Sequence, residues 1–442
     1  MNRIQMQLSR GLRHLTIGAT AKRIFGLLNV AVLLRFLSLV DYGLLSLIYS
    51  IYNLLDLLMG LKQGDLVVAH CSQARGKGDR KEAEELFQSY LLLIVIGAGL
   101  IMSVSLLGKH LFLRRYPVLA SIYWPLLAGI LFTPIKGIIN VYLRIKQDFG
   151  LIKLTDIVRS IGLTSGYVIL VGWLGEGLRG AIIAYAIASF MPLFFVGRRL
   201  ISEATRSIIR PTIGPMVALL RGEGKWQLSR YGIVTLHGSA RPWLIQLVLG
   251  TEAVALFQAA KAVIGIPKDI LPIKNVLIPL MSHELPDRNR LDRLYADACR
   301  YATWLFSAMA IGIVLLAPGM FTVVFPKYQE AIPVIQLMSL NFLTAGLGHA
   351  QIPLFYALRL QMAYFFTTAI NLGSMLIFSV PFMLMFGVQG MALIFVLNGI
   401  MITLIRHYYL IRRFPEISFT WANLVKLSHQ DRQFVKNLLL GG

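Results

Sequence analysis

Lys22, Arg23, Arg35, Lys136, Arg159, Arg241 and Lys261 are cations set inside otherwise apolar stretches of sequence. An ionised group at the centre of a membrane helix costs roughly 2.5–3.5 kcal/mol on insertion scales, so such residues face a wet cavity or a partner. Gathered cations of this kind bind anions, and arginine adds a planar fork of donors that matches acidic oxygens. Asp56, Asp269 and His349 have the chemistry of a proton or cation site instead. Each residue also has a structural reading. Arg35 and Arg159 lie near the ends of apolar segments and can snorkel to the interface, as can Lys22 and Arg23 from a longer helix. Asp156 and Arg159 can form a pair on one helix face. Asp269 can be neutralised by adjacent Lys268, and His349 can be a satisfied residue of a helix bundle. Lys136, Arg241 and Lys261 have the weakest structural reason to be where they are, and Asp56 is the best-placed acid.

Enzyme chemistry is not expected. Gly175-Glu176-Gly177-Leu178-Arg179-Gly180 spells a dinucleotide fingerprint, but it lies between two apolar segments with no strand before it. Gly76-Lys77-Gly78 lacks the spacing of a phosphate loop. No His/Cys group has metal-ligand spacing, so neither metal nor organic cofactor is expected. The loops on one side are all short, which leaves no room for a catalytic domain of a polysaccharide polymerase or ligase.

The elements that carry these residues are membrane helices. The chain has 442 residues, 56% hydrophobic and 14% charged, against about 25% charged in ordinary soluble domains. Segments 86–108, 116–135, 180–197 and 301–326 are long apolar runs, and 360–405 contains no Asp, Glu, Lys or Arg. A span needs about 20 apolar residues, so this last run holds two, with a break near 387–390. Twelve spans are expected: 15–37, 42–62, 86–108, 118–143, 153–174, 178–198, 227–249, 253–280, 301–324, 331–357, 361–385 and 389–410. With that division, 27 Lys and Arg fall on the side of the termini and 5 on the other. The bias orients both termini toward the cytoplasm. The net charge of +22 is explained by those loops facing anionic headgroups rather than by a nucleic-acid partner. No cleavable signal pattern follows Arg3, Arg10 and Arg13. Cys71 and Cys299, on the cytoplasmic side, are expected to be free thiols.

The fold class is therefore all-α and polytopic, and the chain reads as a duplication. Gly43 and Ala255, at the junctions of spans 1–2 and 7–8, are 212 apart, as are Tyr116 and Tyr328. Gly180 and Gly390, opening spans 6 and 12, are 210 apart. An even number of spans per repeat gives both halves the same orientation, related by an axis along the membrane normal. The expected domains are a six-helix lobe with its following linker at 1–212, a second at 213–410, and a cytoplasmic or interfacial tail at 411–442, with a cavity between the lobes. The cationic groups concentrate on spans 1, 4, 5, 7 and 8, which suits an anionic headgroup passing between lobes.

The junctions resemble those of a known family. Arg35-Phe36-Leu37-Ser38-Leu39-Val40-Asp41-Tyr42-Gly43 looks like the span 1–2 junction of Wzx-type O-antigen flippases, with Leu39 where proline is usual. The segment 249–261 is similar to their span 7–8 junction, with Ala255 in place of a frequent glycine. Phe325-Pro326-Lys327-Tyr328-Gln329-Glu330-Ala331 and Gly387-Val388-Gln389-Gly390-Met391-Ala392 look like the junctions before spans 10 and 12. The family is the polysaccharide transporter branch of the multidrug/oligosaccharidyl-lipid/polysaccharide exporter (MOP) superfamily. The resemblance implies a MATE-like fold, a V-shaped cavity, alternating access and an undecaprenyl-pyrophosphate-linked oligosaccharide as cargo. It places the protein in the bacterial inner membrane, in surface polysaccharide synthesis, acting as a monomer among membrane lipids. A polysaccharide polymerase and chain-length proteins are candidate partners. Two alternatives stay open: a MATE-type cation-coupled exporter of small molecules, and a lipid II flippase. Coupling to protons or sodium is not readable from the residues, and neither are the sugars.

Overall fold

The computed structural model of the chain describes residues 3–110, 114, 117–206, 212–270, 277, 280, 281, 284, 287–358 and 360–415. Side chains of residues 3–19 and 266–270 are not described. The Asp269 side chain and residues 416–442 of the expected tail therefore lie outside the described residues.

The described chain is helical. Helices α1 (Arg3–Phe36), α2 (Leu39–Gly60), α3 (Gly64–Gly76) and α4 (Arg80–Leu107) come first. A 3-10 segment, Pro117–Ile122, leads into α5 (Tyr123–Ile145). Helix α6 (Phe149–Gly166) widens into a π-helical end at Tyr167–Trp173, followed by α7 (Gly177–Phe190), α8 (Pro192–Arg206) and the short α9 (Gly214–Leu219). Then come α10 (Lys225–Leu249), α11 (Thr251–Ile270) and α12 (Arg288–Val323). Helices α13 (Ile332–Ser339), α14 (Phe342–Ala357), α15 (Gln361–Phe386) and α16 (Val388–Arg413) complete the described part. The break between the last two falls where the sequence places it.

Among the described residues eight helices are long and apolar enough to cross a membrane. The pair Pro326–Ser339 and Phe342–Ala357, bent by 52°, makes a ninth if it is one span. The expected spans outside this set are α1, α10 and α11, the helices that carry Lys22, Arg23, Arg35, Arg241 and Lys261. Their charges lower the apolar signal that the other helices show. Large apolar side chains face outward, among them Leu107, Trp173 and Leu247, which are 84%, 88% and 79% exposed. Water would penalise such a surface, and lipid does not. The chain is a multi-pass membrane protein.

Capping explains several helix starts. Ser38 Oγ accepts from the Asp41 amide at 3.0 Å, and Asp79 and Asp148 accept from Glu82 and Leu151 in the same way. The α2–α3 elbow is unusual. Leu61 and Lys62 both take left-handed conformations, φ 48° and 52°, which cost side chains with a Cβ roughly 1–2 kcal/mol each. The elbow is held by Gln63, whose amide donates to Gly224 O at 3.2 Å, and by Gln227, which donates to Lys62 O at 2.8 Å.

The chain forms two compact units: 1–262 with 324–328, and 263–323 with 329–442. In the first, α1 packs on α6, α5 on α7, and α2 on α10. Span 7 and the front of span 8 thus pack with the first six. In the second unit α12 packs on α14, and α15 on α16. Its buried core includes Tyr295, Cys299, Leu354, Phe355 and Leu410. Both cysteines are free and buried, with Cys71 Sγ 3.3 Å from Ala83 O.

One local device occurs in both units. Gly177 and Gly387 have positive φ, 52° and 57°. Three residues on from each, a Cβ at Gly180 or Gly390 would run into the backbone of the preceding segment, at Leu170 O or Phe382 O. The shared spelling Gly-x-x-Gly is the requirement of a tight helix–helix turn met twice.

Candidate functional site

Charged residues of α2, α3, α5, α6 and the α2–α3 elbow meet in one cavity of about 400 Å³ within the first unit. Its wall takes Asp56 from α2, Lys62 from the elbow, Asp65 from α3, Lys136, Asn140 and Arg144 from α5, Arg159 from α6 and Tyr185 and Ser189 from α7. Tyr231 of α10 also lines it. Thus four cations and two carboxylates share the wall with hydroxyl and amide groups.

The two carboxylates are matched by tethered cations. Asp56 forms an ion pair with Lys62, six residues on across the elbow. Asp65 accepts from Arg144 at 2.6 Å and from the Tyr231 hydroxyl at 3.1 Å. The elbow's left-handed backbone turns Lys62 back toward α2, which gives the strain a use.

Lys136 and Arg159 form the cationic centre. Lys136 lies within electrostatic reach of Arg159, Lys22 and Asp156. Two ammonium groups cannot satisfy each other, since both only donate. Arg159 stacks its guanidinium 5.5 Å from the Tyr185 ring centroid. Its Nε, buried, has no hydrogen-bond acceptor among the described residues. An anion entering here meets charge and an unused donor together.

An aromatic block holds Arg159 from behind. Tyr185 lies 5.2 Å from Tyr49 and 5.3 Å from Tyr52, centroid to centroid. The hydroxyls of Tyr49 and Tyr167 are hydrogen-bonded, and Tyr52 donates to Leu126 O at 3.1 Å. These rings come from α2, α6 and α7, so the platform is assembled by tertiary packing.

The remaining sequence candidates lie elsewhere. Arg241, 6% exposed on α10, is 3.1 Å from His237 Nε2 and 5.9 Å from the Phe257 ring. Lys261 is within electrostatic reach of His237, so Arg241 and Lys261 flank this histidine as a second pair of cations in the same unit. Arg23 is partly buried on α1 beside Lys22. Arg35 is exposed and donates to Val324 O at 3.0 Å, apart from the cavity. His349 stacks on Phe306 at 4.8 Å inside the second unit.

Sequence reasoning missed Lys62, Asp65, Asn140, Arg144, Tyr185, Ser189 and Tyr231 as members of the wall. Lys62 and Asp65 sit at the apparent end of span 2 and read as ordinary boundary charges. The tyrosines look like core residues until the helices pack.

The fold is shared with solved membrane transporters. An inward-facing multidrug resistance MATE family transporter of the MOP superfamily superposes with TM-score 0.75 at 16% identity, covering 90% of this chain and 96% of that one. The lipid II flippase MurJ, in an inward closed conformation, gives TM-score 0.72 at 15% identity, covering 96% of this chain and 95% of that one. A mutant of the Vibrio cholerae MATE transporter VcmN gives 0.57 at 15%, covering 93% and 98%. The chain therefore has the MATE-like, all-α fold expected from its junctions. No curated protein sequence matches the chain. The sequence model of polysaccharide biosynthesis proteins matches residues 8–284, more than half of its length. The chain belongs to the polysaccharide biosynthesis protein family.

Proposed function

We propose that the protein is a flippase. It moves an undecaprenyl-pyrophosphate-linked oligosaccharide from the inner to the outer leaflet of the bacterial cytoplasmic membrane, by alternating access, for surface polysaccharide synthesis. The observation that carries the reading is the Lys22–Lys136–Arg159 group, where cations gather beside a cavity and a buried guanidinium donor is unused. A dianionic headgroup supplies the acceptors these donors lack. The sugars would lie against the Asn140, Ser189 and Tyr185 wall while the prenyl tail stays in lipid. Arg241 and Lys261 are proposed to take over the headgroup later in the cycle. The termini face the cytoplasm on this reading, and the six-plus-six repeat supplies two lobes, 1–212 and 213–410. Partners would be the glycolipid, membrane lipids, and a polymerase with chain-length proteins.

The same fold is found in a multidrug transporter and in a lipid II flippase. For a cation-coupled drug exporter the expected acid is Asp56, and Lys62 already occupies it. A cationic cavity also repels cationic drugs. Deleting the gene tests the proposal. Surface polysaccharide should be lost and lipid-linked repeat units should accumulate on the inner leaflet. Normal polysaccharide in a clean deletion overturns it, and a gain in drug sensitivity alone would favour the exporter.

A further inference from the structure

Arg406 lies outside everything above. It is 8% exposed in the second unit, near the end of α16. Its Nε donates to Thr367 Oγ1 at 3.1 Å, and its guanidinium lies 4.8 Å from the Tyr364 ring centroid. Both partners belong to the start of α15, and both are neutral. Among the described residues no carboxylate pairs with Arg406, and its terminal nitrogens find no acceptor. A guanidinium carries five N–H donors and cannot discard its charge. Burial without an anion is therefore unfavourable, and in a membrane helix it marks a site.

Depth points to the occupant. Arg406 is 18 residues beyond Val388, the first residue of α16, or about 27 Å along the axis at 1.5 Å per residue. A hydrocarbon core is about 30 Å thick, so with Val388 at one face of the core the guanidinium lies close to the other face, within reach of that leaflet's phosphate groups. Exposed Tyr408 and Tyr409 follow it, with Arg412 donating to the Tyr408 hydroxyl at 3.0 Å. Tyrosines at this depth mark the membrane–water interface.

We propose that Arg406, with Tyr364 and Thr367 orienting it, binds the phosphate of an anionic phospholipid headgroup at the α15–α16 seam. The free nitrogens of the fork meet the phosphate oxygens, and the acyl chains lie along apolar residues of the two helices.

Thermal unfolding of the purified full chain tests this, with phosphatidylglycerol or phosphatidylcholine of matched acyl chains added, and with inorganic phosphate alone. Phosphatidylglycerol should raise the wild-type midpoint by at least about 2 °C over phosphatidylcholine, and inorganic phosphate should not. Arg406→Gln should erase that difference, while Lys136→Ala keeps it. Should Arg406→Gln not fold, Arg406→Lys, which retains charge without the fork, should shrink the difference by about half or more. The proposal is overturned by equal midpoints in the two lipids for wild type. It is equally overturned by an undiminished difference in the Arg406 variant. A shift of the same size with inorganic phosphate would overturn the lipid assignment.

Discussion

Arg144 of α5 meets Asp65 of α3 at 2.6 Å, and the Tyr231 hydroxyl of α10 reaches the other carboxylate oxygen at 3.1 Å. Three helices are tied through one aspartate on the cavity wall. The pair is about half exposed, 40% for Arg144 and 53% for Asp65, so its worth in stability stays within about 1 kcal/mol. Asp65→Asn should therefore lower the thermal midpoint only slightly. Its effect on export should be larger, because Arg144 is released toward the cavity. Swapping the charges, Asp65→Arg with Arg144→Asp, should recover part of the export lost in either single change. A swap no better than the singles would show that the pair is not what matters.

Removing the cationic centre should impair transport more than folding. Lys136→Ala or Arg159→Ala should reduce export at least about tenfold, equivalent to about 1.4 kcal/mol of headgroup interaction. Arg159→Lys should be intermediate, since it keeps charge and loses the fork. Complementation of a deletion strain, scored by surface polysaccharide at matched protein level, measures this. Wild-type export from both alanine variants would remove the basis of the proposed function.

The Tyr185 ring and hydroxyl separate by mutation. Tyr185→Phe keeps the surface on which Arg159 stacks and loses only a 3.4 Å contact with Thr133, so export should stay within about twofold, as befits loss of one weak hydrogen bond. Tyr185→Ala removes the platform and opens a void against Tyr49 and Tyr52. A loss of about 3–5 kcal/mol is usual for truncating a packed aromatic. Export and midpoint should fall together.

The α2–α3 elbow offers a stabilising change. Leu61 holds a left-handed conformation at φ 48°, and glycine accepts it without the Cβ penalty. Leu61→Gly should hold or raise stability, by up to about 1 kcal/mol, read as an unchanged or higher midpoint. Lys62→Gly relieves the same backbone but removes the partner of Asp56, so it should be the less stable of the two. Equal midpoints would mean that the ion pair contributes nothing there.

Cys71 and Cys299 give a simple probe. Both are free and fully buried, so a maleimide should label neither in the folded protein and both after denaturation. Rapid native labelling of either would contradict its placement.

Much was legible in the chain itself. Apolar runs of span length, with charge sorted between them, dictate a polytopic helical protein, because lipid admits few other ways to satisfy a backbone. The Gly177–Gly180 and Gly387–Gly390 turns were readable as a repeated motif because a positive φ and a close approach both demand glycine. Lys136 and Arg159 stood out because a charge in an apolar helix is costly wherever it points. Which charges meet was a different matter. Lys22, Lys136 and Arg159 converge while Arg35 does not, and Lys62 turns back onto Asp56 through two left-handed residues. Such encounters depend on helix rotation and elbow geometry, to which a linear pattern of charges is blind. Tyrosines 49, 52, 167 and 185 are ordinary core residues in sequence and one platform in space, because their helices bury the same face together. The sequence by itself determined that charge must be hidden in this membrane; only tertiary packing decided where it gathers, since proximity is a property of helix packing and not of spacing along the chain.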